Sequence, residues 1–269
     1  MINFINIIIS AFIIYFLLGL ILFFLQRRIL FNKSGIPKKP SDYDLSDIET
    51  VEIITPDGIK LLAWYSKPTL NNPILIYFHG NSFDIGERAY RIKRYIDKGW
   101  GVCLLAWRGY SGNSGYPSEK NLYIDGKAAI KWVQNKSKYN LNNIIIYGES
   151  LGTAVAVEMA TKYKFKSIIL EAPFTSIVDI AKKRYFIYPV KYLILDHFNN
   201  LSKIDKIKSP LLIISGKKDE IVPHLHSVKL FSKANNPKEN LFIDEAMHNN
   251  LYDFGIEKTV INFNSKTWK

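Results

Sequence analysis

An α/β fold, with helices on both faces of a mostly parallel sheet and a transmembrane helix ahead of it, is what this sequence of 269 residues predicts. Three observations predict it. Ile7 to Leu25 runs without one charged residue. From Ile74 onward, short apolar runs of strand length alternate with helical patterns, as crossover-connected parallel strands require. The pentapeptide Gly148-Glu149-Ser150-Leu151-Gly152 stands between the apolar run 144–147 and the helix-like stretch 153–160. A Gly-x-Ser-x-Gly string in that position marks a strand-to-helix turn so tight that its serine is strained and pushed into the open.

The elements follow in order. At about 1.5 Å per residue, Ile7 to Leu25 spans roughly 28 Å, near the thickness of a bilayer core. A secretory signal would need a basic leader and a small-residue cleavage site. Met1 to Asn6 holds no Lys or Arg, and Phe23-Phe24-Leu25-Gln26 is bulky, so residues 1–26 are expected to be a retained single-pass anchor. Arg27, Arg28, Lys33, Lys38 and Lys39 all follow it, and no acid precedes Asp42. The positive-inside rule then places the rest of the chain on the cytoplasmic side. Residues 27–45, with Gly35-Ile36-Pro37-Lys38-Lys39-Pro40, form a basic linker, and 46–269 form one α/β domain.

Within that domain, 51–55 and 60–65, separated by Pro56-Asp57-Gly58, are expected to pair as an antiparallel hairpin at the sheet edge. Further strands are expected near 74–78, 102–106, 144–147, 167–171, 210–214 and 240–243. One connection is longer than an ordinary crossover helix: 37 residues run from Pro173 to Ser209, rich in aromatic and aliphatic side chains between Tyr185 and Leu195. That content fits a helix packed on the sheet with an irregular lead-in, and equally a short lid insertion whose apolar face, with Ile187 and Leu193, helps bind an acyl group.

The formal charge is +12, and beyond position 39 the 31 remaining basic residues exceed the 24 acidic ones by seven. The excess suits an anionic lipid surface, and it suits a compositional bias toward Ile, Lys and Asn as well. No basic-aromatic pattern accompanies it, so nucleic-acid binding is not expected. Cys103 is the only cysteine and lies in an apolar strand, which excludes an internal disulfide and disfavours a reactive thiol. No Cys/His cluster or P-loop is present, so no metal or cofactor is expected. Asn32-Lys33-Ser34, Asn135-Lys136-Ser137 and Asn200-Leu201-Ser202 match the glycosylation pattern by coincidence in so Asn-rich a chain.

A serine hydroxyl is a weak nucleophile until a base accepts its proton, and the base needs an acid to fix its tautomer. On a strand-turn-helix nucleophile the chain order is Ser, acid, His. The run 210–214 ends in Ser215-Gly216-Lys217-Lys218-Asp219-Glu220, which makes Asp219 the candidate acid and Glu220 its adjacent alternative. The run 240–243 leads to Asp244-Glu245-Ala246-Met247-His248, placing His248 after the last strand as candidate base. His197, His224 and His226 are read as surface or capping histidines. Charge developing on a substrate carbonyl needs backbone N–H donors. One is expected from Leu151, the other from Asn81 in the loop His79-Gly80-Asn81-Ser82. His79, ahead of the glycine, holds that loop rather than acting as a base.

With those pieces in place, the chain from about Gln26 onward resembles the α/β-hydrolase superfamily, and within it the serine hydrolases tethered by one N-terminal membrane helix. Further matching segments are Gln26-Arg27-Arg28, Tyr77-Phe78-His79-Gly80-Asn81, Arg108 to Glu119 and Glu171-Ala172-Pro173-Phe174-Thr175-Ser176. The chain departs from the family at Trp107, where a tyrosine is usual, and at Ala246-Met247, where a glycine pair commonly precedes the histidine. Arg108 is read as tying loops together rather than as a catalytic group. The resemblance implies the α/β-hydrolase fold and an acyl-enzyme mechanism on esters or thioesters, with the anchor pointing to lipids or acylated proteins. The serine excludes superfamily members that need an aspartate nucleophile. A peptidase on the same scaffold and a catalytically silent binding protein are the competing readings.

Overall fold

The computed structural model describes residues 4–33, 35–266 and 268. Met1, Ile2 and Asn3 of the expected anchor, Ser34 of the linker and of one glycosylation match, and Thr267 and Lys269 lie outside the described residues. The chain begins with α1 (Phe4–Leu30), 27 residues with none buried. It is long and apolar enough to cross a membrane. Four residues beyond the expected anchor boundary remain helical, because Arg27 and Arg28 are good helix formers and Phe31 N–H still bonds to the Arg27 carbonyl at 2.9 Å.

The segment expected as a linker makes several contacts with the domain. Phe31 is 2% exposed and meets Phe198 edge-on. Asn32 bridges to Ser82, and Tyr43 packs on Trp64.

An antiparallel hairpin, β1 (Glu49–Ile54) and β2 (Lys60–Ser66), forms the sheet edge as expected. There follow β3 (Ile74–Phe78), α2 (Ala89–Ile96), β4 (Gly101–Leu105), α3 (Glu119–Ser137), β5 (Ile144–Glu149), α4 (Leu151–Lys162) and β6 (Ser167–Glu171). The long connection holds α5 (Ile177–Arg184) and the single turn α6 (Val190–Leu193). The chain closes with β7 (Leu211–Gly216), α7 (Leu225–Lys233), β8 (Lys238–Ile243) and α8 (Ile256–Ser265). The eight strands pair in the order β1-β2-β4-β3-β5-β6-β7-β8, with β3 to β8 parallel. This is the α/β-hydrolase fold.

Period-two alternation along the strands builds two cores. Ile74, Ile76 and Phe78 face one, with α3 and α4 residues such as Val133 and Val155. Leu75 and Tyr77 face the other, with Ile92 of α2 and Val260 of α8. Cys103 is buried in the first, and burial pushes its thiol up to about 12.

The chain steps from β3 outward to β4, then returns to add β5 on the other side of β3. The carboxyl ends of β3 and β5 therefore flank the switch point, where open parallel sheets form a binding crevice.

Arg108 is buried and held by two carboxylates. Its guanidinium bonds Asp125 at 2.6 and 2.8 Å and Asp57 at 2.7 and 3.1 Å, and Asp125 also accepts the Arg108 N–H. Asp125 is fully buried. Arg108→Met would leave that carboxylate uncompensated, a loss of about 3–5 kcal/mol. Thermal or denaturant unfolding of the variant measures it, and an undiminished unfolding midpoint would refute the structural role.

Candidate active site

The turn from β5 into α4 is set by sterics. A Cβ on Gly148 would lie 2.6 Å from the Thr153 Cα, and one on Gly152 would overlap the Phe78 carbonyl. With both positions reduced to glycine, α4 passes directly over the end of β3. Ser150 absorbs the bend at φ 48°, ψ −111°, a left-handed backbone that a non-glycine residue adopts only under constraint. Its N–H is held by the Glu171 carbonyl at 2.9 Å, at the end of the adjoining strand β6.

The loops after β7 and β8 complete the site. Lys218 N–H bonds the Ala246 carbonyl at 3.0 Å, which joins the two loops. His248 Nε2 lies 3.1 Å from Ser150 Oγ, and His248 Nδ1 lies 2.7 Å from Asp219 Oδ2. Asp219 Oδ1 accepts the N–H groups of Ile221 at 2.9 Å and Val222 at 2.7 Å, so both carboxylate oxygens are engaged. Asp219 is buried whereas Glu220 is exposed. Met247 N–H bonds the Asn250 side chain at 2.8 Å and Leu251 is buried, so the turn carrying His248 is fixed without the usual glycine pair.

The loop after β3 faces the serine: a Cβ on Gly80 would stand 3.5 Å from Ser150 Cβ. Asn81 is pinned by its other groups, the side-chain amide donating to the Leu30 carbonyl at 3.1 Å and its carbonyl accepting from Tyr110 Oη at 3.1 Å. Among the described residues, neither the Asn81 nor the Leu151 N–H has a protein acceptor. Leu151 is also the first residue of α4, where the helix end favours negative charge.

His79 is fully buried, its Nδ1 2.7 Å from the Gly80 carbonyl and its Nε2 accepting the Trp107 N–H at 3.4 Å. The Trp107 indole N–H returns a bond to the His79 carbonyl at 3.0 Å, a role open to tryptophan at the position where tyrosine is usual. His226 and His224 are paired with Thr175 and Ser215 at 2.7 and 2.9 Å, and His197 Nε2 lies 2.9 Å from the Ile194 carbonyl. None of the three joins Ser150.

A buried charge network beneath the serine was not foreseen from the sequence. Arg88 grips Glu149 at 2.8 and 3.0 Å and reaches the Ser82 carbonyl at 2.8 Å, linking the residue before Ser150 to the loop after β3. Arg91 bonds Glu171 at 3.1 Å, and Tyr77 and Tyr147 donate to Glu149 and Glu171. Burial opposes the charge on Glu149, but Arg88 and Arg91 hold its carboxyl well below the usual range. Burial, with Glu149 nearby, pushes Glu171 up. The visible signal was an acid closing each of two apolar strands; the arginines sit on a helical stretch that gave no such sign.

Of the two residues expected to bind an acyl group, Leu193 lines a cavity of about 240 Å³ that also touches Asn81. Ile187 does not. Its side chain is more than half exposed and its carbonyl accepts from Tyr15, because the turn before α6 faces it away from the cavity. Among the described residues, no group of three or more His, Cys, Asp or Glu could hold a metal ion.

Residues 116–250, which contain Ser150, Asp219 and His248, match the model of the prolyl oligopeptidase family. An uncharacterized protein of Mycobacterium tuberculosis is 34% identical over 226 residues, 83% of this chain and 80% of that one. Human alpha/beta hydrolase domain-containing protein 17B is 36% identical over 187 residues, 67% of this chain and 62% of its own length. Among solved structures, the Pyrococcus furiosus esterase Pf2001 superposes with a TM-score of 0.72 at 20% identity, covering 87% of this chain and 95% of that one. An acetyl xylan esterase from Paenibacillus sp. R4 gives 0.67 at 18% identity, covering 91% and 94%. At such identities the superpositions speak for the fold alone.

Burial, reinforced by the Arg88 charge, pushes the His79 imidazole down to about 3. The unfolded chain takes up this proton near pH 6.5 and the folded one does not. Stability from this group is therefore intact above pH 6.5 and declines by up to about 1.4 kcal/mol per pH unit on acidification toward pH 3. In denaturant titrations, His79→Gln should be less stable at pH 8 yet show a shallower acid slope. Parallel slopes would refute a buried neutral histidine.

Proposed function

We propose that this chain, which belongs to the prolyl oligopeptidase family of the α/β-hydrolase superfamily, is a membrane-anchored serine hydrolase that cleaves esters or thioesters of lipids or acylated proteins. The observation that carries the reading is the continuous contact from Ser150 Oγ through His248 to a buried, doubly anchored Asp219. In the reaction, Ser150 attacks the acyl carbonyl as His248 Nε2 takes its proton. Asp219 holds the Nδ1–H tautomer and stabilises the imidazolium. The Leu151 and Asn81 N–H groups receive the developing oxyanion. His248 then protonates the leaving oxygen or sulfur. A water molecule enters on the same path, gives its proton to His248 and releases the acid from Ser150.

The family's name makes peptide cleavage the second reading. The cavity beside Asn81, lined mainly by aliphatic and aromatic groups, favours an acyl chain over a peptide. Hydrolysis of an octanoyl p-nitrophenyl ester against the matching octanoyl anilide separates the two.

Ser150→Ala and His248→Ala are expected to abolish ester hydrolysis apart from a weak residual rate. Asp219→Asn should lose on the order of a thousandfold or more in kcat, by favouring the wrong imidazole tautomer. Glu220→Gln should stay near native. Initial rates decide this, and the reverse ranking of the last two variants would reject Asp219 as the acid.

The anchor reading rests on α1 and its one-sided basic flank of Arg27, Arg28, Lys33, Lys38 and Lys39. The domain should face the cytoplasm with the helix uncleaved. In sealed membranes, protease added from the cytoplasmic side should remove a C-terminal tag; digestion only from the opposite side would overturn the orientation.

A further inference from the structure

The anchor helix does more than tether the domain, because it is docked along much of its length. Tyr15 stacks on Tyr188 at 4.7 Å between ring centroids and donates to the Ile187 carbonyl at 2.8 Å. At Gly19 the helix comes so close that an added Cβ would lie 2.9 Å from the Tyr188 ring. The Gln26 side chain donates to the Leu193 carbonyl at 3.2 Å and accepts the Leu195 N–H at 2.8 Å. Arg27 pairs with Asp196 at 2.7 Å, and Asp196 also accepts the Glu119 N–H at 2.8 Å. From Tyr15 to Arg27 this contact follows the helix for about 18 Å.

The cavity of about 240 Å³ lies in this seam. Leu22, Phe23 and Ile29 of α1 form one wall, and Ile180, Tyr185 and Leu193 of the α5–α6 segment form the other. Asn81 also lines it, next to Gly80, where an added Cβ would stand 3.5 Å from Ser150 Cβ. A span of roughly 20 apolar residues is needed to cross a bilayer core. The uncharged run Ile7 to Leu25 meets that need only if the residues alongside Tyr188 and Leu193 are at membrane depth. The α5–α6 segment then shares the leaflet with α1. Its outward apolar groups fit that depth, with Phe186 and Tyr192 each 81% exposed. Lys182, Lys183, Arg184 and Lys191 beside them suit the headgroup layer.

We propose that α1 is one wall of the acyl-binding site, so that the substrate's acyl chain slides from the leaflet into the seam between α1 and α5–α6 and brings its carbonyl to Ser150. This rests on the serine hydrolase reading above and adds that the membrane helix itself selects the chain. Each methylene buried in the seam is worth about fourfold in specificity.

The test uses the full-length protein in phosphatidylcholine vesicles, comparing kcat/KM on p-nitrophenyl octanoate and p-nitrophenyl acetate. The native protein should prefer octanoate by at least tenfold. Leu22→Trp fills the seam from α1 and should cut the octanoate-to-acetate ratio at least tenfold. Phe24→Trp adds a similar ring on the outward face of the same helix and should leave both rates unchanged. Ala181→Trp fills the seam from α5 and gives a second measurement should Leu22→Trp misfold. Fluorophosphonate labelling of Ser150 reports folding in each case. A ratio in Leu22→Trp and Ala181→Trp equal to that in Phe24→Trp, or a native protein indifferent to chain length, would overturn the proposal. Absence of any Ser150-dependent acetate hydrolysis in the native protein would instead overturn the hydrolase reading.

Discussion

The close passage of α4 over the end of β3 is the constraint on which the site depends. Glycine at 148 and 152 removes the two side chains that would block it, and the Phe78 carbonyl occupies the space that a Cβ at 152 would need. That approach brings the turn after β5 against the loop after β3. It forces Ser150 to a positive φ and leaves the Ser150 N–H to the end of β6. Strain of this kind costs of order 1–3 kcal/mol and persists only where the surroundings over-determine it. Here the sheet supplies that rigidity, since β3, β5 and β6 are each buried along their whole length.

Electrostatics reinforces the same junction. Two arginines and two glutamates packed in the interior would be expensive to desolvate if any one lacked a partner. Arg88 ties Glu149, the residue just before the serine, to the Ser82 carbonyl in the facing loop. The network thus fastens together the two segments whose spacing the reaction needs. His79 and Trp107 tie the loop after β3 to the segment after β4 through uncharged bonds, with burial keeping the imidazole neutral.

The N-terminal helix is joined to the same region. Phe31 enters the core directly after α1, and Asn81 of the loop after β3 bonds the Leu30 carbonyl. The end of α1 and the loop facing Ser150 are therefore mechanically joined. The segment read as a basic linker thus begins with contacts that join helix and site.

The sequence by itself determined the sheet and the elbow. Apolar runs of strand length at 74–78, 144–147 and 167–171 have few alternatives in an α/β chain, and the glycines at 148 and 152 state their own steric requirement. The contact of Ser150, His248 and Asp219 could be anticipated from chain order because each follows a strand of the same parallel sheet, so all three lie at the same end of it. What only tertiary structure decided depends on contacts between distant segments. Asp219 and Glu220 are neighbours with the same chemistry, and only the fold of their loop buries one against His248 and leaves the other in solvent. Ile187 and Leu193 are equally apolar, and a turn sends one outward and the other into the seam. Arg88 meets Glu149 across 61 positions, and Arg27 meets Asp196 across 169. Periodicity records how a segment meets its own neighbours, and it carries no information about which remote segment will lie against it.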